Sequence, residues 1–445
     1  MANSILYLPI ARKTFNMEEA EKIWKASSDL LSKTCRYVKE PEYLITSPDE
    51  LEDFLATVDV DVDTIVYQSV TFADGEFIQA TINKIKVPVV VWSVREPVVG
   101  QRLMLNSLTG GNSTCHVLQS NNRSFSFVFG NPDEAQVKDT LASHLSVTKT
   151  IYNTSRLCIG VVGDHPPGFY FSGTNKEKLQ HTFGVTLKDV DLLHAFKEAK
   201  EVPEERWKKE VDTAENKIIG LNRNDETVMR FAQFTVKMRD YIEEEKLSAL
   251  AIRCWPDFFN ELGAAACSTL SHLTDESMVS ACESDIHGSL SMYILNQLSG
   301  GAAPYLGDMV HINQENNAMV FWHCGAGAYS LASQRTGAKA GVHPNRKMGL
   351  TMEFGLKPGK VTIFRVGATP EGYRLLVFTG EALDVPQRFN GTTIEVAVEK
   401  DVQEVMQELM LEGFEPHYAI VHADVRGQIK EFGRLLNLPV VEINS

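Results

Sequence analysis

The chain has 445 residues, of which 43% are hydrophobic, and this length and composition predict several globular domains with separate cores. Its 58 acidic and 43 basic side chains give a formal net charge of −15, which argues against nucleic acid or an anionic membrane as the general partner. Seven scattered cysteines, and a first segment without a basic stretch before a long apolar run, predict a reducing, cytoplasmic location and no membrane span.

Short apolar runs alternate with amphipathic runs through the first third of the chain. Residues 5–10 and 64–67 predict strands, and Asn16 predicts the N-cap of an intervening helix. Strands that alternate with helices predict a parallel, doubly wound sheet, which we assign to an N-terminal α/β domain over residues 1–153. The segment 106–112 predicts a turn, and a backbone nest for an anion or a hydroxyl-rich ligand is the alternative.

A second α/β domain is predicted over residues 154–330. It begins with a strand at 157–163, and a strand at 250–255 follows a helix whose predicted N-cap is Asp225. The mixed-charge segment 197–217 predicts one solvated helix. The predicted fold class is therefore α/β, with two doubly wound domains of Rossmann-like or flavodoxin-like type.

From residue 357 onward the hydrophobic pattern changes to a period of two. Runs at 361–366 and 374–378, joined by a Pro/Gly turn, predict antiparallel β structure in a barrel-like or sandwich-like layer. We assign it to a C-terminal domain over residues 331–445, rich in antiparallel β structure, whose closing α/β segment contains His417.

Glu283 lies directly before a predicted helix. Apolar residues recur with helical spacing from Gly288 to the pair Gly300-Gly301, which predicts a helix with Asp285 as its N-cap. Open α/β sheets gather ligand-binding groups at such positions, where the positive end of the helix dipole favours a carboxylate. A solvated loop acid is the alternative interpretation of Glu283.

Three more polar residues lie at the ends of apolar elements downstream. Asp308 and His323 each follow an apolar run, and His417 begins a β-rich one. Two carboxylates and imidazole are ligands that suit manganese, magnesium or cobalt, and no thiolate in this set indicates zinc. The spacing matches no standard metal motif, so the residues alone leave the site a hypothesis.

Five motifs, in this order along the chain, resemble the L-fucose/L-arabinose isomerase superfamily. They are Cys-Glu-Ser-Asp-Ile-His-Gly-Ser-Leu at 282–290, Gly-Asp-Met-Val-His at 307–311, Trp-His-Cys-Gly at 322–325, Lys-Pro-Gly-Lys-Val-Thr at 357–362 and Pro-His-Tyr-Ala-Ile-Val-His at 416–422. Segments 160–170 and 183–185 resemble the second domain of that group, and 111–113 its first. The resemblance covers most of the chain and leaves several sugars open as substrate.

The resemblance implies a divalent-metal-dependent aldose–ketose isomerase that moves a proton between C1 and C2 of an open-chain sugar through a cis-enediolate. It implies Glu283, Asp308 and His417 as ligands of Mn²⁺, or of Co²⁺ or Mg²⁺. The two carboxylates are also the candidate base and acid, with the assignment open. Asp308 agrees with the fucose branch, whereas the arabinose branch carries Glu there. His323 is a fourth ligand or a substrate contact, and a buried histidine bonded to a backbone carbonyl is the alternative.

The remaining polar residues of these motifs have structural interpretations. His422 is interpreted as structural or as a support for a ligand, and Asp285 and His287 as capping and surface groups. Cys282 and Cys324 are interpreted as packing residues, because neither has an evident activating partner. By analogy with the family we also expect a homo-oligomer, in which the N-terminal domain of one subunit covers the site of another, and Asn112 as a substrate contact.

No acidic residue lies between Glu315 and Glu353, and this gap contains a group of cationic candidates for substrate binding: Arg335, His343, Arg346 and Lys347. Such a group suits a sugar with an anionic tail, because guanidinium and ammonium groups recognise sulfonate or phosphate oxygens. Among isomerases that resemble this family, one that acts on sulfoquinovose and forms 6-deoxy-6-sulfofructose meets this demand, so we rank sulfoquinovose ahead of a neutral aldose of the L-fucose, L-arabinose or D-arabinose type. Contact with acids of a neighbouring subunit is the alternative role of this segment.

Two other classes of protein compete with an isomerase. A non-catalytic, periplasmic-type sugar-binding protein shares two α/β domains, but it would have a signal peptide and no added β-rich region. An enzyme that uses NAD or a phosphate would carry a glycine fingerprint after a predicted strand, and none follows one here.

Overall fold

The computed structural model describes residues 3–59 and 61–443. Contacts divide the chain into two units, one of Met1–Asn153 with Gln428–Asn437 and the other of Thr154–Gly427 with Leu438–Ser445. No helix in these described ranges is long and apolar enough to cross a membrane.

The first unit is built on a parallel five-stranded sheet. Its strands are β1 (Ser4–Ile10), β2 (Tyr37–Lys39), β3 (Thr64–Ser69), β4 (Val89–Ser93) and β5 (Phe125–Phe129), and its helices are α1 (Met17–Thr34), α2 (Pro48–Ala56), α3 (Glu76–Lys84), α4 (Ser107–Ser120) and α5 (Ala135–Thr154). The strand order β2-β1-β3-β4-β5 is that of flavodoxin-like sheets. Asn16 caps α1 as predicted, because its side chain accepts the Glu19 amide.

The predicted turn at 106–112 is wrong, because helix α4 begins at Ser107. Its paired glycines, which suggested a turn, allow the helix to approach the sheet closely. A Cβ atom at Gly111 would lie 2.0 Å from Ser93 Oγ of β4, and one at Gly110 would lie 3.0 Å from the Cα atom of Phe72. These glycines therefore serve helix–sheet packing, and the segment is not a phosphate-type loop.

The second unit begins with a parallel four-stranded sheet. Its strands are β6 (Cys158–Val162), β7 (Thr186–Val190), β8 (Ala249–Ile252) and β9 (Ser280–Cys282), in the order β7-β6-β8-β9, and its helices are α6 (Lys176–Phe183), α7 (Leu192–Lys200), α8 (Glu204–Glu215), α9 (Glu226–Glu244), α10 (Cys267–Asp275) and α11 (Ile286–Leu298). The single helix predicted at 197–217 is wrong. Pro203 separates α7 from α8, because proline lacks an amide donor and disfavours helical geometry in the residue before it.

The rest of the chain forms a nine-stranded sheet that closes in part on itself. Its strands are β10 (Tyr305–Asn313), β11 (Ala318–His323), β12 (Lys339–Gly341), β13 (Thr351–Gly355), β14 (Gly359–Ala368), β15 (Tyr373–Ala382), β16 (Thr392–Ala397), β17 (His417–Val421) and β18 (Val440–Glu442). Helix α12 (Val402–Glu412) precedes β17, and helix α13 (Arg426–Leu435), which follows it, belongs mostly to the first unit. The order is β12-β13-β16-β11-β10-β17-β14-β15-β18, and β15 also pairs with β16. The six strands from β16 to β15 are therefore an antiparallel barrel.

The predicted fold class is confirmed, with two helix-flanked parallel sheets followed by a largely antiparallel one. The barrel encloses part of a buried apolar cluster that includes Phe321, Ile363 and Phe378. Strands β10 and β11 fall within the range predicted for the central domain, yet they pair with strands from residues 331–445. The division into three domains by residue range stays a prediction.

An ion-pair network around Glu210 joins three helices of the second unit. Glu210 of α8 accepts from Arg239 Nε of α9 at 2.7 Å and lies 3.0 Å from His272 Nε2 of α10. Burial alone would raise the pKa of Glu210, but His272 and Arg239 outweigh it and lower this pKa to about 2. A carboxylate whose pKa is lower in the folded than in the unfolded state stabilises the fold at pH values above its unfolded-state pKa. This stabilisation is lost as the pH falls through its folded-state pKa.

We expect Glu210→Gln to lower the free energy of unfolding by about 1–3 kcal/mol at pH 7. The difference in free energy of unfolding between this variant and the unmodified protein should shrink as the pH falls from about 4.5 towards 2. Glu210 becomes protonated over this range, so both proteins then carry a neutral side chain at this position. Urea unfolding of both proteins at pH 7 and at pH 4 measures this difference in free energy. Glu205→Gln, on an exposed face of the same helix, is the control, and an equal loss in both variants would contradict the role of the network.

Candidate active site

A sharp turn between β9 and α11 presents Glu283. Glu283 and Ser284 adopt left-handed backbone conformations with φ of 58° and 55°, which are uncommon for residues other than glycine and recur at functional sites. Ser284 Oγ fixes the turn by donating to the Gly163 carbonyl at 2.9 Å. Asp285 caps α11 as predicted, because its Oδ1 atom accepts the Gly288 amide at 2.8 Å. The indole N–H of Trp255 donates to Glu283 Oε1 at 3.3 Å.

The barrel supplies the other predicted ligands. Asp308 of β10 is paired directly with His417, the first residue of β17, and with Trp322 of β11. Directly opposed residues of antiparallel strands project from the same face of the sheet, so this register brings the Asp308 and His417 side chains together. His323 ends β11, where it is paired with Thr392 of β16.

The four predicted residues lie close together. His417 Nε2 is 2.9 Å from Glu283 Oε2 and 3.6 Å from Asp308 Oδ1. The His323 and His417 rings are 5.8 Å apart between centroids. Residues from a turn after a parallel sheet and from three strands of an antiparallel barrel thus meet at one point.

Three of these residues, Glu283, His323 and His417, fit a divalent cation, and Asp308 lies beside them. One ligand atom from each of Glu283, His323 and His417 lies within 4.8 Å of the other two. The Nε2 atom of His323 is buried and has no hydrogen-bond partner among the described residues, as expected of a nitrogen that awaits a ligand. Carboxylate oxygens and imidazole nitrogens are the donors that hard or borderline divalent ions prefer.

A buried carboxylate orients His417 from behind. Asp285 Oδ2 accepts from His417 Nδ1 at 2.8 Å, which leaves Nε2 directed towards Glu283. Burial alone would lower the pKa of His417, but Asp285 and Glu283 raise it to about 10. A carboxylate on the second nitrogen of a metal-binding histidine fixes the ring and raises its basicity. The sequence identifies Asp285 as a helix cap but does not reveal this second role, because His417 lies 132 residues away along the chain.

Arg365 of β14 holds Asp285 in turn. Its Nη1 and Nη2 atoms donate to Oδ2 and Oδ1 of Asp285 at 2.6 and 3.0 Å, and both side chains are 0% exposed. Burial opposes ionisation of Asp285, yet Arg365 and His417 lower the pKa of this carboxyl well below its usual range. The available signal was an arginine in the middle of the apolar run Val361–Val366, because a buried arginine requires a partner.

His287 is not the surface residue that the sequence predicted. It is buried, and its Nε2 atom hydrogen-bonds with Thr174 Oγ1 at 2.9 Å. Helix α11 is enclosed on nearly all sides, so a position assigned to its polar face has no access to water. Burial lowers the pKa of His287 to about 4, and the Arg365 charge adds to this effect.

Aromatic rings form apolar walls around the ligand atoms. The edge of Phe171 packs on His417 with 5.0 Å between centroids, and Trp322 stacks on His323 at 6.3 Å. Phe169 packs against Trp255 at 5.4 Å, beside Glu283. Apolar surroundings of this kind lower the local dielectric constant and strengthen the electrostatic interactions of the polar groups beside them.

The cationic candidates occupy different surroundings. Arg346 lies over the ring of Trp255 at 5.7 Å, and the indole of Trp255 donates to Glu283. Trp255 therefore lies between this guanidinium and the predicted ligand Glu283. Lys347 follows it and is exposed. Arg335, in contrast, forms a two-pronged, exposed ion pair with Asp384, with bonds of 2.7 and 2.9 Å.

The other predicted residues have separate positions. The His343 ring packs edge-on against Phe259 at 5.2 Å. His422 Nε2 hydrogen-bonds with the Lys357 carbonyl at 2.8 Å, in agreement with a structural role. Asn112 lies in helix α4 of the first unit. Cys282 and Cys324 are buried free thiols.

This chain is similar to known proteins over nearly the whole of its length. Residues 340–444 match the family model described as L-fucose isomerase, C-terminal domain. The chain is 67% identical over 442 residues to a sulfoquinovose isomerase of Alkalicoccus urumqiensis, which covers 99% of this chain and 100% of that protein. It is 56% identical over 436 residues to the sulfoquinovose isomerase of Priestia aryabhattai and 36% identical over 439 residues to that of Clostridium sp. (strain MSTE9), with 98% of each chain covered.

Proposed function

This chain belongs to the sulfoquinovose isomerase family, and we propose that it is a divalent-metal-dependent aldose–ketose isomerase that converts sulfoquinovose to 6-deoxy-6-sulfofructose. The observation that carries the proposal is the convergence of Glu283, Asp308 and His417 on one point, with His417 Nε2 at 2.9 and 3.6 Å from the two carboxylates. A neutral aldose is the alternative substrate.

Glu283, Asp308 and His417 hold the cation in this proposal, with His323 as a fourth ligand through its unpartnered Nε2 atom. We propose Mn²⁺, with Co²⁺ and Mg²⁺ as alternatives, because the set contains oxygen and imidazole donors. A cation held by these residues would supply Lewis-acid chemistry, because it would draw electron density from the oxygens of the sugar and make the neighbouring C–H bond more acidic.

The two carboxylates move the proton between C2 and C1. Burial raises the pKa of Asp308, although His417 and His323 oppose the shift. Both carboxylates lie next to His417, so either can accept the proton while the other returns it, and we leave the two roles open. Glu283 is held in place by the Trp255 indole N–H and by His417.

Arg346 and Lys347 are the proposed sulfonate contacts, with His343 beside them. The position of Arg346 over Trp255 supports this, because it places a positive group near Glu283. Arg335 is a weaker candidate, since Asp384 already pairs with its guanidinium. We also propose a homo-oligomer and keep Asn112 as a substrate contact. A strictly monomeric active enzyme in sedimentation would contradict the oligomer.

The test is a comparison of substrates on metal-stripped protein reconstituted with Mn²⁺. Initial rates are measured on sulfoquinovose, glucose 6-phosphate, L-fucose and L-arabinose. We expect sulfoquinovose to have the highest kcat/KM, and a chelator to abolish turnover. Efficient turnover of neutral sugars alone would contradict the sulfonate assignment, and turnover without a cation would contradict the metal-dependent mechanism.

Substitution of Arg346 by Ala should raise KM for sulfoquinovose by about 10-fold to 100-fold, the effect of losing one charged hydrogen bond of about 1.5–3 kcal/mol. Lys347→Ala should act in the same direction with a smaller effect, because an ammonium group cannot form a two-pronged contact. Lys339→Ala, another exposed cation of the same segment, is the control and should leave KM unchanged. Unchanged KM in the Arg346 variant would remove this residue from the substrate site.

A further inference from the structure

A group of buried thiols lies beside the histidines of the active site. In the second unit, Cys267 Sγ and Cys324 Sγ are 3.4 Å apart, and both residues are free cysteines. His343 completes this group, because one ligand atom from each of the three residues lies within 4.8 Å of the other two. The proposed isomerase reaction uses neither thiol.

Three separate segments bring these side chains together. Cys267 is the first residue of α10, Cys324 directly follows β11, and His343 lies in the connection between β12 and β13. Two sulfurs and one imidazole are soft or borderline donors, which select Zn²⁺ and its heavier relative Cd²⁺ over Mn²⁺ or Mg²⁺. This donor set therefore differs in chemistry from the carboxylate-rich group around Glu283.

The distances suit a tetrahedral ion. With Zn–S bonds of about 2.3 Å, two sulfurs of a tetrahedral site lie about 3.8 Å apart. The 3.4 Å separation of Cys267 and Cys324 is close to that value and far from the roughly 2.05 Å of a disulfide. A movement of a few tenths of an ångström brings the two sulfurs to that separation, the histidine nitrogen lies within 4.8 Å of both, and a water molecule can take the fourth position.

Access to this group is from the side of His343. Cys267 is 1% exposed and Cys324 is 7% exposed, whereas His343 is only partly buried. A neighbouring set of Cys282, His323 and Cys324 has similar spacing, but all three of its residues are buried. We therefore assign the ion to the set that contains the partly exposed histidine.

We propose that Cys267, Cys324 and His343 form a second cation site that binds Zn²⁺ or Cd²⁺, and that its occupation inhibits the isomerase. Binding replaces the two thiol protons, which are released to solvent, and leaves two thiolates on the ion. Cys324 Sγ lies 3.3 Å from His323 Nδ1, so a bound ion withdraws this sulfur from a histidine of the active site. The inhibition rests on the proposed function, whereas the binding does not.

Titration of the Mn²⁺-loaded protein with Cd²⁺ tests the site. The thiolate-to-cadmium charge-transfer absorbance in the ultraviolet should rise to a plateau at one Cd²⁺ per chain, with release of protons into weak buffer. Cys267→Ser should weaken this binding by at least about tenfold. Cys115→Ser, which removes a partly exposed thiol of the first unit, is the matched control and should bind as the unmodified protein does.

An absorbance change that is the same in Cys267→Ser as in the unmodified protein would overturn the site, as would the absence of a stoichiometric change. If circular dichroism shows that Cys267→Ser does not fold, His343→Gln replaces it in the same titration. Inhibition is measured in parallel as residual turnover with and without one equivalent of Cd²⁺. Stoichiometric binding without loss of turnover would overturn the inhibition, and a protein without isomerase activity would still report on the binding.

Discussion

Replacing Glu283 with Gln should reduce sulfoquinovose turnover by about 100-fold to 10,000-fold while the fold survives. The amide removes both the charge that holds the cation and the lone pair that accepts the proton. Its partner His417, at 2.9 Å, would keep its place through Asp285. Asp308→Asn should have an effect of the same order. Initial rates at saturating Mn²⁺, with the bound metal measured on the same samples, give the result.

The control for these variants is Glu261→Gln, an exposed acid of the same unit, which should keep full activity. Circular dichroism and thermal unfolding of each variant separate a loss of chemistry from a loss of fold. Near-normal turnover by Glu283→Gln or Asp308→Asn with metal bound would show that the reacting groups are elsewhere.

Arg365→Met should lower the free energy of unfolding by about 3–5 kcal/mol. The substitution removes both hydrogen bonds to Asp285 and leaves this carboxylate buried without its cation. Urea unfolding at pH 7 measures the change. Arg335→Met is the matched control and should leave stability nearly unchanged, because its ion pair with Asp384 is exposed and screened by water.

A double substitution, Asp285→Leu with Arg365→Met, should cost less stability than Arg365→Met alone, because Asp285 is no longer buried without its arginine, and this difference exceeds the roughly 0.5–2 kcal/mol lost with the N-cap of α11. The double variant should nevertheless bind the active-site metal about 10-fold to 100-fold more weakly, since His417 loses the carboxylate on its Nδ1 atom. An Arg365→Met protein as stable as the Arg335→Met control would contradict the structural role assigned to the pair.

Local signals along the chain predicted much of this structure. The caps Asn16, Asp225 and Asp285 were correct, because a cap is decided by a few neighbouring residues. The order of short motifs indicated the family and the residues Glu283 and Asp308, which the structure places beside His417.

Pairings between distant segments were not predictable in the same way. The contact between Asp285 and Arg365 spans 80 residues, and neither side chain identifies the other in the sequence. The closure of the barrel by β15 and β16, and the entry of β10 and β11 into it, depend on the register of whole strands. The burial of His287 follows from the enclosure of α11, which its periodicity does not reveal.

The cationic segment shows the same limit. Its lack of acids suggested a group of free positive charges, but Asp384, which lies outside the gap, pairs with Arg335. Arg346 contacts an aromatic ring instead. The count of charges along the chain therefore identified the acid-free segment between Glu315 and Glu353. It did not distinguish residues of this segment that form ion pairs from residues that are available to a substrate.

The most direct test is to convert sulfoquinovose in D₂O with the Mn²⁺-reconstituted enzyme and to follow the products by NMR. Proton transfer through an enediolate predicts 6-deoxy-6-sulfofructose with deuterium at C1, formed by the unmodified protein and hardly at all by Glu283→Gln. Ketose that stays free of deuterium after many turnovers would indicate direct hydride transfer and contradict the carboxylate mechanism. Absence of any ketose from the metal-loaded protein would contradict the proposed activity itself.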